Sequence, residues 1–228
     1  MIPLKIEIKP IIEKDTLAKL LGGDEFDNIP RSTRSKIEQM KPMFEKLIEP
    51  NLCHRNMGID SVEKGAVLLE EGQEFKSNKL SKTLRHCDEI ICYIATLGDS
   101  IEGKINQLME DKHLAQAYIL DAMASAAADN MVGMFHQHMK DVYKDQNKQI
   151  TLCFSPGYCD WPITDQKQLF GLFDSNELEV QLTNSCFMKP RKSISGVFGI
   201  TPPDSNHREQ SYNPCSECNR PNCSARRL

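Results

Sequence analysis

The sequence has no long apolar run, no excess of basic residues and few aromatics. No stretch approaches the roughly 20 apolar residues of a membrane span, so a membrane partner is not expected. Lys and Arg number 28 against 32 Asp and Glu, for a net charge of −4, which argues against a nucleic-acid binder. There is no internal repeat and no low-complexity linker. The N-terminus "MIPLKIEIKP" lacks the features of a signal peptide. It alternates Leu4, Ile6 and Ile8 with Lys5 and Glu7, the pattern of a strand. Nine cysteines in such a chain read as reduced thiols of a cytoplasmic protein.

What is present suffices for a packed core. The chain has 228 residues, 39% of them apolar, and needs no disulfide staples. "EKDTLAKLLGG" reads as a short helix closed at Gly22–Gly23. "RSTRSKIEQMKPMFEKLIEP" places Ile37, Met40, Phe44, Leu47 and Ile48 at helical spacing, with Ser32 as cap, Pro42 as kink and Pro50 as stop. "GAVLLEEGQEFKS" reads as two short strands about Glu71–Gly72, followed by a helix in "NKLSKTLRHC". "IICYIAT" is an apolar run of strand length, expected at the centre of a sheet. The turn "TLGDS" then opens a helix carrying Ile101, Ile105 and Leu108.

From His113 to about Lys144 one long helix is expected, rich in Ala and Met and interrupted by Asp121, Asp129 and Asn130. Strands are expected again in "QITLCF", "LEVQLT" and "SISGVFGI", with a helix after Pro162. Interspersed helices and strands with short returns predict an α+β fold, a mixed and largely antiparallel sheet with helices packed on it. Residues 1–84 read as the N-terminal portion, 85–210 as the main body and 211–228 as a cysteine-rich tail.

Two segments carry chemistry. "FSPGYCDWP", Phe154 to Pro162, holds the sole tryptophan and a Pro-Gly turn between aromatics, too rigid and apolar for an ordinary surface loop. The tail "NPCSECNRPNCSARRL" sets Cys215, Cys218 and Cys223 as C-x2-C-x4-C. Three thiolates at that spacing suit one zinc ion or an iron–sulfur cluster, and spacing alone does not separate them. A fourth ligand could come from Cys153, Cys159, Cys186, His207 or a small molecule.

"FSPGYCDWPITDQKQLFGLF" followed by "VQLTNSCFMKPRKSISGVFG" resembles the activation domain of cobalamin-dependent methionine synthase. "ATLG", the helical "DAMAS" and the cysteine tail extend the likeness to free-standing relatives, over about residues 85–228. The resemblance implies a protein that reactivates a corrinoid protein or a cobalamin-dependent methyltransferase by returning an electron to inactive cobalt(II). It implies that Ser155, Pro156, Gly157 and Tyr158 lie against S-adenosylmethionine or the corrin, with Asp129 as an acid for that ligand. Trp161, Met188, Ser193 and Ser195 complete the expected corrin cover. Where the family carries an arginine for the ligand carboxylate, this chain has Cys153, which predicts weak or absent S-adenosylmethionine binding. The need for a very low potential favours iron–sulfur at the tail. The rival readings are a non-catalytic interaction module whose tail is fixed by structural zinc and an S-adenosylmethionine-binding domain that relies on an external reductant.

Overall fold

The computed structural model describes residues 4–5 (backbone alone), 7–203 and 212–218. In chain order the elements are β1 (Leu4–Lys5), α1 (Lys14–Leu20), α2 (Arg31–Leu47), β2 (Asn51–Glu63), β3 (Ala66–Leu69), β4 (Glu74–Lys76), α3 (Asn78–Thr83), β5 (Glu89–Thr96), α4 (Ser100–Glu110), α5 (Leu114–Lys144), α6 (Gln166–Phe170), β6 (Gln181–Leu182), β7 (Met188–Lys189) and β8 (Ser193–Ile200). The main sheet runs β4-β3-β2-β5-β8, with β1 also on β2, and β6 and β7 form a separate hairpin. Every pairing between these strands is antiparallel. This is the expected α+β architecture.

β5 is central because it is apolar on both faces. It pairs along its length with β2 on one side and β8 on the other. Its alternate residues enter two separate cores. Ile91, Tyr93 and Ala95 join α1, α2, α4 and α5 in one. Ile90, Cys92 and Ile94 join Phe75, Leu80, Phe154, Trp161 and Leu169 in the other. The sheet thus has a face covered by long helices and a face covered by the short elements α3, α6 and the Phe154–Pro162 loop.

Several local expectations change. The second helix begins after Pro30 rather than at Ser32, and Pro42 lies inside it without ending it. Residues 150–154 make only two isolated bridges to β8, at Ile150 and Phe154. The Phe154 bridge depends on Gly196, where an added Cβ would meet Phe154 O at 2.7 Å and Tyr93 Oη at 2.5 Å. No helix among the described residues is long and apolar enough to cross a membrane.

Candidate functional site

The Phe154–Pro162 segment is two linked turns. Phe154 exchanges both backbone hydrogen bonds with Val197, at 2.8 Å each, and so hangs the segment from β8. Tyr158 N–H then donates to Ser155 O at 3.2 Å, with Pro156 and Gly157 at the corner. Gly157 has a φ of +90°, which suits glycine at the third position of a turn that follows proline. The second turn closes by Trp161 N–H to Tyr158 O at 3.0 Å, and Gly157 N–H to Trp161 O at 2.9 Å spans the loop. Cys159 stands at its tip with a φ of +57°, exposed to solvent. Tyr158 is 55% exposed and Ile163 46%. A Cβ on Gly157 would lie 3.0 Å from Ile163 Cδ1, so the two exposed apolar side chains flank the same corner.

Two carboxylates anchor this loop to the β4–α3 junction. Asp160 accepts from Ser77 Oγ at 2.6 Å, from Asn78 N–H at 2.9 Å and from Lys79 N–H at 3.3 Å, capping α3 from a distant part of the chain. Asp165 Oδ2 accepts from Trp161 Nε1 at 3.0 Å and from Lys76 N–H at 2.9 Å. The same short helix also receives the tail. Lys79 Nζ donates to Pro214 O at 3.3 Å, and Lys82 pairs with Glu217 at 3.2 Å while lying over the Tyr212 ring. Burial and the Glu217 carboxylate push the Tyr212 hydroxyl up to about 12. The tail thiols Cys215 and Cys218 lie within electrostatic reach of Cys159. Among the described residues no group of three His, Cys, Asp or Glu side chains is already set to hold a metal ion. Cys223 and His207 lie outside the described residues.

The corrin cover expected from sequence is corrected in part. Trp161 is 2% exposed and packs edge-on against Phe75, so it supports the loop from beneath and offers no face outward. Ser193 and Ser195 are buried and already bonded. Ser193 Oγ donates within reach of Pro190 O at 2.7 Å and lies 2.9 Å from Thr96 Oγ1, and Ser195 Oγ accepts from Gln166 Nε2 at 3.1 Å. They hold β8 to its neighbours and are spent as partners for corrin amides. Met188 is half-buried against the core on the loop side of the sheet. Tyr158 alone of the expected aromatic cover is available.

Asp129 lies elsewhere. It lines a cleft of about 540 Å³ with Glu13, Thr16, Asn130, Gly133, Met134 and Gln137, between α1 and α5. Ser155–Tyr158 do not line that cleft. Desolvation pushes the Asp129 carboxyl up, against the pull of Lys192. Cys153 packs half-buried against the core on the long-helix side, so it faces away from the tail.

Sequence reading missed Asp160 and Asp165, although their flanking of the one tryptophan was a usable signal. Lys192 has a structural role. That side chain is 12% exposed, and its Nζ lies 2.8 Å from Asp121 Oδ1 and donates to Ser125 Oγ at 2.8 Å. Lys192 therefore pins the start of β8 to both polar residues of the "DAMAS" turn.

Sequence comparison matches residues 80–212 to the family described as "Vitamin B12 dependent methionine synthase, activation domain". No curated protein matches the chain. Among solved structures, "Crystal Structure of the MetH Reactivation Domain bound to AdoHcy" matches with a TM-score of 0.59 and 18% identity, covering 77% of this chain. The chain spans 66% of that structure's length.

Proposed function

This chain belongs to the activation-domain family of vitamin B12 dependent methionine synthase, and from that premise we propose that it reactivates a corrinoid protein by supporting one-electron reduction of cobalt(II) to cobalt(I). The observation that carries the reading is that the family match spans the Ser155–Trp161 loop, which presents Tyr158 on a doubly closed turn. Tyr158 and Ile163 give the loop an exposed apolar corner to lie on a planar corrin. Because backbone bonds and the Asp160 and Asp165 anchors already fix the loop, little ordering cost falls on docking. An apolar cover excludes water from cobalt, favours a lower coordination number and so eases reduction.

Cys215, Cys218 and Cys223 are proposed to hold an iron–sulfur centre. Such a centre would supply the electron at a potential that can reach roughly −700 mV, and an external one-electron donor protein would restore it. Thiolates suit iron and zinc alike, so the donor set fits the group. Uptake of that one electron would carry the partner's cobalt(II) to cobalt(I).

The related reactivation domain was crystallised with AdoHcy. We propose weak S-adenosylmethionine binding by this chain. Cys153 provides no cation for the ligand carboxylate, and Asp129 opens on a different cleft from the loop. Calorimetry giving micromolar affinity would contradict this.

The cap is tested by mixing the protein anaerobically with cobalt(II) corrinoid proteins and recording visible and paramagnetic resonance spectra. A change in the axial-ligand signature that Tyr158→Ala abolishes is expected. Unchanged spectra at saturating protein would contradict the cap.

A further inference from the structure

Helix α3 presents an outward face of one sign. Leu80, Ser81 and Thr83 are buried, as is Leu84 just beyond the helix end. Between them stand half-buried Lys79 and exposed Lys82 and Arg85. Steps of three residues put these cations in one row. The helix sequence NKLSKT holds no carboxylate. Like charges one turn apart repel, and Lys79 in the first turn opposes the helix dipole. Helix stability does not call for such a row, least of all in a chain of net charge −4.

The tail answers these cations from a distant part of the chain. Lys79 Nζ donates to Pro214 O at 3.3 Å, and Lys82 Nζ lies 3.2 Å from Glu217 Oε2. The three-residue step from Pro214 to Glu217 matches the step from Lys79 to Lys82. Tyr212 Oη donates to the same Glu217 oxygen at 2.8 Å, and the Tyr212 ring lies under Lys82 at 5.3 Å. The tail therefore shows what the row recognises, a turn of chain that carries a carboxylate. The hold is weak. The Lys82 and Glu217 side chains are 49% and 54% exposed, and ion pairs so open to water contribute little. Glu217 is the one acid of residues 212–218, against a row of three cations.

The row also borders the candidate site. Asp160, two residues from Tyr158, accepts from the backbone N–H groups of Asn78 and Lys79 at 2.9 and 3.3 Å, so the loop is seated on the helix that carries the cations. We propose that Lys79, Lys82 and Arg85 form a docking surface for an acidic segment of the corrinoid partner, and that Glu217 of the tail occupies this surface as an internal competitor which the partner displaces. The surface rests on the corrinoid reading above and adds a second point of attachment beside the apolar corner at Tyr158 and Ile163. The two contacts differ in kind. The cations speed encounter and select an acidic partner, and the apolar corner covers the corrin. A neutral or basic segment gains nothing from the row.

The test measures anaerobic binding of a cobalt(II) corrinoid protein to the full chain by surface plasmon resonance, at low and at high salt. The variants are Lys82→Glu with Arg85→Glu, Glu217→Gln, and Lys36→Glu on α2 as a control for added negative charge. All four positions are exposed, and thermal melts report that each variant is folded. The double reversal should slow association by about tenfold or more at low salt and much less at high salt. Glu217→Gln should tighten binding by about two- to fivefold, the worth of an exposed ion pair removed from competition. Lys36→Glu should bind as the unaltered protein does. If the double reversal binds unchanged while the corrinoid spectrum still responds through Tyr158, the row is not a docking surface and the corrin cap stands without it. Weaker binding by Glu217→Gln would mean that the tail supports docking, and the competitor is overturned. If the double reversal spares corrinoid binding but blocks reduction by a one-electron donor protein, the surface belongs to the donor and the assignment is wrong. If the unaltered chain neither binds the corrinoid protein nor alters its spectrum, the surface and the corrinoid reading fail together.

Discussion

Asp160→Ala should weaken the protein out of proportion to an exposed surface carboxylate. The side chain accepts four contacts from three donors, Ser77 Oγ at 2.6 Å and the N–H groups of Asn78 and Lys79 at 2.9 and 3.3 Å. These are the otherwise unpaired donors at the start of α3. Hydrogen bonds to a charged acceptor contribute about 1.5–3 kcal/mol each when sheltered, and a lost helix cap costs about 1 kcal/mol. Asp160 is exposed and water can replace part of what is lost, so the sum is discounted to about 2 kcal/mol. For a chain of this size that lowers Tm by roughly 4–8 °C. Asp160→Asn keeps one acceptor oxygen and should cost about half as much. Urea denaturation followed by fluorescence suits the question, because the single tryptophan adjoins Asp160. An Asp160→Ala variant within about 0.5 kcal/mol of the unaltered protein, the range of ordinary surface changes, would refute the idea that this residue joins loop and helix.

Two other expectations concern buried charge. Lys192→Met should leave Asp121, whose side chain is 39% exposed, without its cation and cost about 2 kcal/mol. Adding Asp121→Asn should restore much of the loss, and thermal melts of the single and double variants check this. Burial pushes the Glu89 carboxyl up, but hydrogen bonds from Lys148 at 2.6 Å and Asn56 at 2.7 Å outweigh it and hold the group below its ordinary 4.5. A depressed carboxylate contributes stability that is complete above its unfolded value and lost as pH falls through the folded one. Urea midpoints should therefore drop on acidification below about pH 4.5, and Lys148→Met should flatten that decline.

Strong local patterns carried the fold from sequence. β5 announced itself by an unbroken apolar run and α5 by Ala and Met over nine turns' worth of helical spacing, and both lie where expected. β2 gave no such signal. Its thirteen residues include His54, Arg55, Asn56 and Gly58, and its strand character comes from pairing with β3 and β5 rather than from composition. "LEVQLT" alternated like a strand, yet only Gln181–Leu182 found a partner. Alternation states that a segment can pleat, not that an edge is free to receive it. At the site, Pro156 and Gly157 were legible as a turn because proline and glycine act locally. Trp161, Ser193 and Ser195 were misjudged because their direction is set by contacts distant in sequence, with Phe75, Thr96 and Gln166. The nearness of Cys159 to the tail depends on a third segment, α3, that neither motif reveals.

The central claim is that this chain enables a corrinoid to regain cobalt(I), and a single-turnover reduction tests it most directly. The protein, reconstituted with iron and sulfide and reduced with titanium(III), is freed of excess reductant and mixed anaerobically with a cobalt(II) corrinoid protein. The account predicts that cobalt(I) absorption rises as the iron–sulfur absorption of the oxidised centre returns, one electron for each cobalt, and that Tyr158→Ala slows the rise. Cobalt that stays in the cobalt(II) state beside a fully reduced centre, with every corrinoid partner tried, would contradict it.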